Sequence, residues 1–351
     1  MKRIVILFLG LLILLGENCT KNPTRPVVGQ APILYAVSER YPDGYSRVYL
    51  IDTAIDSLID TILVAGLGAT GLSYGVSPDG SRLYLNGGAL DTRTRTLISG
   101  AVSGVPTPDG KYVIVDGIPF QLYDAKTDRL VFTSDTVAIR VNATGNPFDS
   151  KRGLVYGTRE GYKIAVFNYR TFKLVEVIDP TQIGGYSVPV VDLVVTHDGR
   201  KLYYTSSVGF HLFTGINLID ERVVALQLLN SISFLAITPD GEYIYLTDPG
   251  GYIIEPEPTE KIGVYSPALE QPLQSIDVSN IPSPCTLGYI ATDQIALSPD
   301  GRKAYVTIFD FCGIIVIDTE TNQVTKVIQS DVSIWSLAIQ KPLRNIFFNG
   351  G

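Results

Sequence analysis

Five tyrosines fall in stretches where this chain departs from its otherwise regular spacing, Tyr41, Tyr45, Tyr186, Tyr252 and Tyr289, and Phe311 joins them beside a shorter stretch. Tyrosine offers a flat apolar ring and a hydroxyl, a pairing suited to sugars, peptides and protein surfaces. With 20 Tyr and 13 Phe in the chain, many aromatics must serve packing alone, so these six are candidates by position and not by type. Phe210, His211 and Phe309 flank shorter stretches of the same kind. The stretch Asp248 to Glu260 holds four carboxylates, but its proline-spaced glutamates lack a calcium-loop pattern and read as a solvated acidic loop. His197 and His211 have no second ligand at metal-binding spacing. No nucleophile elbow or P-loop is present, and the Gly-x-Gly-x-x-Gly spacing of residues 66 to 71 has no helix after it. These residues point to binding more than to catalysis, with no metal and no cofactor expected.

The elements that must position them are set by a recurring turn. Ser77-Pro78-Asp79-Gly80 returns at Thr107-Pro108-Asp109-Gly110, Thr238-Pro239-Asp240-Gly241 and Ser298-Pro299-Asp300-Gly301, with weaker copies at Thr196-His197-Asp198-Gly199 and Asn146 to Ser150. An apolar run precedes each turn, as in Phe234 to Ile237, and a β-branched and aromatic run follows it, as in Tyr243 to Leu246. Two antiparallel strands joined by a tight turn are implied, because Pro presets φ, Asp bonds its own downstream backbone and Gly takes a positive φ. A second half follows in the same rhythm: Ile314 to Ile317, the turn Asp318 to Asn322, then Val324 to Ile328. Four strands per unit at a spacing of roughly 40 to 45 residues is the range of a β-propeller.

Seven first strands, A, can be counted, the last at Trp335 to Ile339, where Gln340-Lys341-Pro342-Leu343 replaces the usual turn. Ile33 to Val37 reads as a second strand, B, with no A strand before it. The sequence therefore predicts an all-β, seven-bladed propeller over residues 33–351, its N- and C-terminal strands pairing to close the ring and remove a free sheet edge. Ile346-Phe347-Phe348 is left over as a further B-like segment.

The run Ala296 to Thr307, followed by Ile315 to Thr321, closely resembles the YVTN repeat. The resemblance covers about residues 33 to 349. It implies a propeller, commonly seven-bladed, of an exported or cell-surface protein of bacteria or archaea, and it brings no shared catalytic set.

Lys2-Arg3 and the apolar run Ile4 to Leu15 read as a secretory leader over residues 1–18, too short to span a bilayer. Cys19 directly after it resembles the acylated first residue of bacterial lipoproteins, with a plain secreted form and an uncleaved anchor as the alternatives. Residues 19–32, rich in proline and polar residues, suit an extended tether. In an exported chain the remaining Cys285 and Cys312 are candidates for a disulfide, because the hairpin that turns at Asp300-Gly301 brings both to its open end. The formal charge is −7, which makes nucleic acid and anionic lipid poor partners.

In a four-stranded blade the A–B and C–D turns share one face of the disc, and the B–C and D–A connections share the other. Length variation gathers on the second face, at Ser38 to Ser46, Asp179 to Val188, Asp248 to Glu260 and Ser279 to Tyr289. Variable loops on a rigid scaffold are where binding residues usually sit. The expectation is a membrane-tethered binding module for a protein or glycan of the cell envelope. A lactonase-type propeller enzyme and a structural envelope component are the alternatives.

Overall fold

The computed structural model describes residues 31–40, 43–65, 67, 73–117, 119–134, 141, 146–159, 162–183, 189–208, 210–229, 234–248, 261–282, 291–309 and 312–340. Its strands form seven four-stranded antiparallel sheets arranged as the blades of a ring. Blade 1 holds β1 (Ile33–Arg40), β2 (Tyr45–Asp52), β3 (Ser57–Ala65) and the last strand of the chain. Blade 2 holds β4 (Ser73–Val76), β5 (Arg82–Leu85), β6 (Gly88–Asp91) and β7 (Thr96–Ile98). Blade 3 holds β8 (Val105–Pro106), β9 (Tyr112–Val115), β10 (Gln121–Asp124) and β11 (Leu130–Thr133). Blade 4 holds β12 (Phe148–Asp149), β13 (Leu154–Arg159), β14 (Lys163–Asn168) and β15 (Lys173–Ile178). Blade 5 holds β16 (Val190–Val195), β17 (Lys201–Val208), β18 (Phe210–Asn217) and β19 (Arg222–Leu229). Blade 6 holds β20 (Leu235–Ile237), β21 (Ile244–Asp248), β22 (Lys261–Ser266) and β23 (Gln271–Asp277). Blade 7 holds β24 (Ala291–Leu297), β25 (Lys303–Phe309), β26 (Gly313–Asp318) and β27 (Gln323–Gln329), after which β28 (Ile334–Ile339) returns to blade 1. Among the described residues Pro180–Ile183 forms a short 3-10 turn.

The ring closes as the sequence predicts. β28 lies antiparallel to β1, with Leu34 opposite Ile339 and Val37 opposite Ser336, so β1 is paired on both edges. The leftover segment at Ile346 lies outside the described residues, as do the leader, Cys19 and most of the tether.

Strand alternation explains why the second and third strands read as unbroken apolar runs. In β1, Leu34 and Ala36 pack toward blade 7 while Tyr35 and Val37 pack toward blade 2, because a blade between two others buries both of its faces. The core is accordingly divided into layers between neighbouring blades. The layer between blades 6 and 7 joins Tyr245, Ile262 and Val264 to Ile295, Val306 and Ile315. The layer between blades 2 and 3 is the thinnest, with Tyr84, Ala89 and Val113 as its buried members. Successive first strands pack on one another, β28 on β4, β4 on β8 and β20 on β24, and so form the inner wall of the ring.

The recurring turn has a fixed internal structure. Gly80 N–H donates to the Ser77 carbonyl at 2.8 Å, the Ser77 hydroxyl donates to Asp79 Oδ1 at 2.6 Å, and that oxygen also accepts from Ser81 N–H at 3.0 Å. The same hydroxyl-to-carboxylate bond measures 2.7 Å at Thr107, 2.6 Å at Thr196, 2.5 Å at Thr238 and 2.6 Å at Ser298. The five glycines hold φ between 67° and 78°, which explains why this position is glycine. One copy differs from expectation: Phe148 and Asp149 belong to β12, and the chain reverses over Asp149 to Gly153, whose amide returns to the Asp149 carbonyl at 2.9 Å.

Candidate functional site

The turn end of the disc is uniform and its opposite end is not. Six of the seven turns between third and fourth strands span four residues, as Thr53 to Asp56 and Thr92 to Arg95 do, and blade 3 has five. At the far end the β17–β18 connection is a single residue, whereas the β21–β22 connection runs from 249 to 260. The candidate aromatics belong to connections at that far, loop end. Tyr41 and Tyr45 join β1 to β2 in blade 1, Tyr252 lies between β21 and β22 of blade 6, Tyr289 between blades 6 and 7, and Phe311 between β25 and β26 of blade 7. Five of the six therefore belong to one sector of three consecutive blades, and Tyr186, between blades 4 and 5, stands apart. Tyr41, Tyr186, Tyr252, Tyr289 and Phe311 lie outside the described residues.

Tyr45 is described, and it opens β2 with 41% of its surface exposed. Its amide donates to Asp43 Oδ1 at 2.9 Å, which shapes the loop before it as an Asx-type turn. That bond lowers the Asp43 carboxyl below its ordinary value, and the Arg47 guanidinium adds to the effect. Arg47 is held between two carboxylates, with Nη2 3.1 Å from Asp43 Oδ2 and Nε 3.5 Å from Asp331 Oδ2. Tyr49 donates its hydroxyl to Asp331 Oδ1. Tyr45, Arg47 and Tyr49 share one side of β2 by alternation, and Tyr49 packs in the layer against blade 7. Asp331 comes from the short connection between β27 and β28, so this array joins the blade 1 loop to the end of blade 7. The loop end here is a polar frame of ion pairs and hydrogen bonds, tied through Asp43 to the backbone of an exposed tyrosine.

Cys312 is buried just before β26, 4% exposed. Cys285 lies outside the described residues. Tyr162, in the β13–β14 connection of blade 4, is 46% exposed at φ 60°. Sequence reasoning missed it because its connection is short, and only a large aromatic directly after Gly161 could have signalled it.

Two polar residues of the inner wall were also unforeseen. Asp192 is fully buried in β16, and its Oδ2 accepts from Leu235 N–H of blade 6 at 2.9 Å. Gln294 of β24 does the same for Leu337 N–H of blade 1, through Oε1 at 3.0 Å. Each satisfies a buried amide of the following blade, which fixes the spacing of first strands. His211 has its Nδ1 buried without a hydrogen-bond partner. Among the described residues no three His, Cys, Asp or Glu side chains come together as metal ligands would.

Turn-end side chains connect neighbouring blades. Lys303 of blade 7 reaches Asp56 Oδ2 at 2.6 Å and the Thr53 carbonyl at 2.8 Å in blade 1, and Tyr305 donates to Asp56 Oδ1 at 2.7 Å. Tyr245 of blade 6 donates to Asn322 Oδ1 of blade 7 at 2.7 Å. Arg82 of blade 2 bonds both oxygens of Asp128 in blade 3, at 3.0 and 2.9 Å. Burial, and for Tyr305 the Asp56 carboxylate as well, pushes the hydroxyls of Tyr245 and Tyr305 above the usual phenol range. The repeat tyrosine is thus a blade-to-blade contact and takes no part in the loop end.

No family model matches the chain, and no curated protein sequence matches it significantly. Solved structures do share its fold. A functionally unknown protein from Desulfotomaculum acetoxidans matches over 89% of this chain and 100% of its own length, with 16% identity and a TM-score of 0.59. Hydrazine synthase of Kuenenia stuttgartiensis matches over 75% of this chain and 87% of its own, with 18% identity and a TM-score of 0.56. The dihydro-heme d1 dehydrogenase NirN, solved in complex with DHE, matches over 87% and 74%, with 17% identity and a TM-score of 0.52. At these identities the likeness is one of fold.

Proposed function

We propose that this chain is an exported YVTN-type repeat propeller, held at a membrane through lipid on Cys19, that binds a protein or glycan of the cell envelope through the loop end of blades 6, 7 and 1. The observation that carries the reading is the gathering of five candidate aromatics and two long connections, 249–260 and 278–290, into one sector at one end of the disc. The frame of Asp43, Arg47, Asp331 and Tyr49 supports it, because a backbone held by fixed neighbours loses little freedom on binding. A Cys285–Cys312 disulfide belongs to the same proposal: it would tie the connection that carries Tyr289 to the foot of β26, and the burial of Cys312 supports it. Fold likeness to two enzymes brings no catalytic residue to this chain.

The test is capture of partners from a native envelope extract. Tyr45→Ala, Tyr252→Ala and Tyr289→Ala together should abolish capture, while Glu242→Ala at the turn end should leave it intact. Equal capture by both variants would exclude this sector. Intact-mass measurement of the membrane-extracted protein would show an acylated Cys19, or its absence.

A further inference from the structure

The two ends of the disc differ in charge as well as in length variation. Read from the sequence between the strands, the connections at the loop end carry ten acidic residues and one basic residue, Arg140. Those at the turn end carry twelve acidic and ten basic residues, so they are close to neutral. The net charge of −7 therefore belongs mainly to the loop end.

The chain ends belong to the other side. Pro32, which precedes β1, accepts at its carbonyl from both the amide and the hydroxyl of Thr53, at 3.3 and 2.7 Å, in the turn between β2 and β3. Gln340, which follows β28, donates its amide to the Ile33 carbonyl at 2.9 Å. The chain thus enters and leaves the ring at the turn end, opposite the candidate binding sector.

We infer that the turn end is the surface that faces an anionic lipid bilayer when the chain is held by its N-terminus, and that the loop end is directed away from it. The inference rests on the N-terminal tether in the proposed function. Two independent features act in the same direction. The N-terminal segment joins the ring at Ala31, on the turn end, and the negative surface potential of an anionic leaflet repels the acidic loop end while leaving the near-neutral turn end indifferent. Attachment alone is a weak constraint, since thirteen residues from Thr20 to Pro32 reach about 45 Å when extended, enough for the disc to turn over. Charge supplies the bias that length does not, acting within a Debye length of about 8 to 10 Å.

The experiment places the full-length mature chain on vesicles through an N-terminal hexahistidine and a nickel-chelating lipid, so that it does not depend on natural acylation or on any binding partner. A coumarin amino acid replaces either Glu242, exposed in a blade 6 turn, or Asn280, exposed beyond β23 of the same blade, and an acceptor dye sits on the lipid headgroups. Seven strand residues separate the two ends of β23, roughly 23 Å. On phosphatidylcholine vesicles containing phosphatidylglycerol, transfer from position 242 should be at least twofold more efficient than from position 280. The gap should shrink on pure phosphatidylcholine or in concentrated salt. Equal transfer from both positions, or stronger transfer from position 280, would overturn the inference, and a gap indifferent to salt would overturn its electrostatic part. Loss of partner capture in the alanine variants would be a separate result, since no partner is present here.

Discussion

Asp56 shows how one side chain can serve two neighbours. It accepts from Tyr305 at one oxygen and from Lys303 at the other, both across the joint between blades 7 and 1. Tyr305→Phe keeps the ring and removes the hydroxyl, so the carboxylate loses one buried donor. Stability should fall by about 1 kcal/mol in urea unfolding, with the slope unchanged; an unaltered midpoint would mean the bond contributes nothing net. The turn carboxylates give a pH prediction. Burial pulls Asp79, Asp198, Asp240 and Asp300 upward, but the hydroxyl and amide bonds within each turn outweigh it, and all four lie below the ordinary value. A carboxyl depressed in the folded state adds stability that is fully present above its unfolded value of about 3.9 and lost as the pH falls through its folded one. Stability should therefore decline below about pH 4, and Asp240→Asn with Asp300→Asn should narrow the difference between neutral and acid unfolding midpoints. The turn residues were legible in the sequence because their chemistry is local. Asp192 and Gln294 were not, since their partners, Leu235 and Leu337, are about forty residues away.

β1 is the element on which closure depends, because it pairs with β2 on one edge and with β28 on the other. Ala36 sits between Tyr49 and Leu337 in the two registers and is fully buried. Ala36→Pro removes an amide and imposes a ring there, so it should cost about 3 kcal/mol or more and lower the thermal midpoint sharply; a near-normal midpoint would contradict the double pairing. That pairing was legible in advance, because Ile33 to Val37 is a B-type strand with no A strand before it and Trp335 to Ile339 is an A-type strand without the usual turn after it. The displaced turn at Asp149 was not, since Phe148 and Asp149 stand where other copies carry Asp-Gly and only the backbone bond from Gly153 shows where the chain reverses. The joint between blades 2 and 3 gives another prediction at this scale. Its buried layer is small and its strands have two to four residues, so the Arg82–Asp128 ion pair holds a larger share of the contact. Amides of β5 and β9 should exchange faster than those of β25 and β26, and Arg82→Ala should widen that gap. Uniform protection across all blades would count against the thin layer.

At the scale of the whole molecule, repetition and variation are separated between the two ends of the disc. The turn end repeats because each turn must return a strand to the same inter-blade layer, and its side chains hold blade to blade. The loop end repeats less, although Asp331 still joins blades 7 and 1 there, and the β21–β22 connection, the candidate aromatics and most of the negative charge belong to it. This division was readable from strand order and loop length, whereas the Arg47 frame was not, because it needs Asp331, nearly three hundred residues away, to be seen beside Tyr49. The most direct test of the account is photo-crosslinking in the native envelope with benzoylphenylalanine placed at Tyr45, Tyr252 or Tyr289 and, at the turn end, at Glu242 or Leu269. A loop-end binding sector should give one discrete partner adduct from the three loop-end positions and none from the two turn-end positions; adducts from the turn end with silence at the loop end would contradict it.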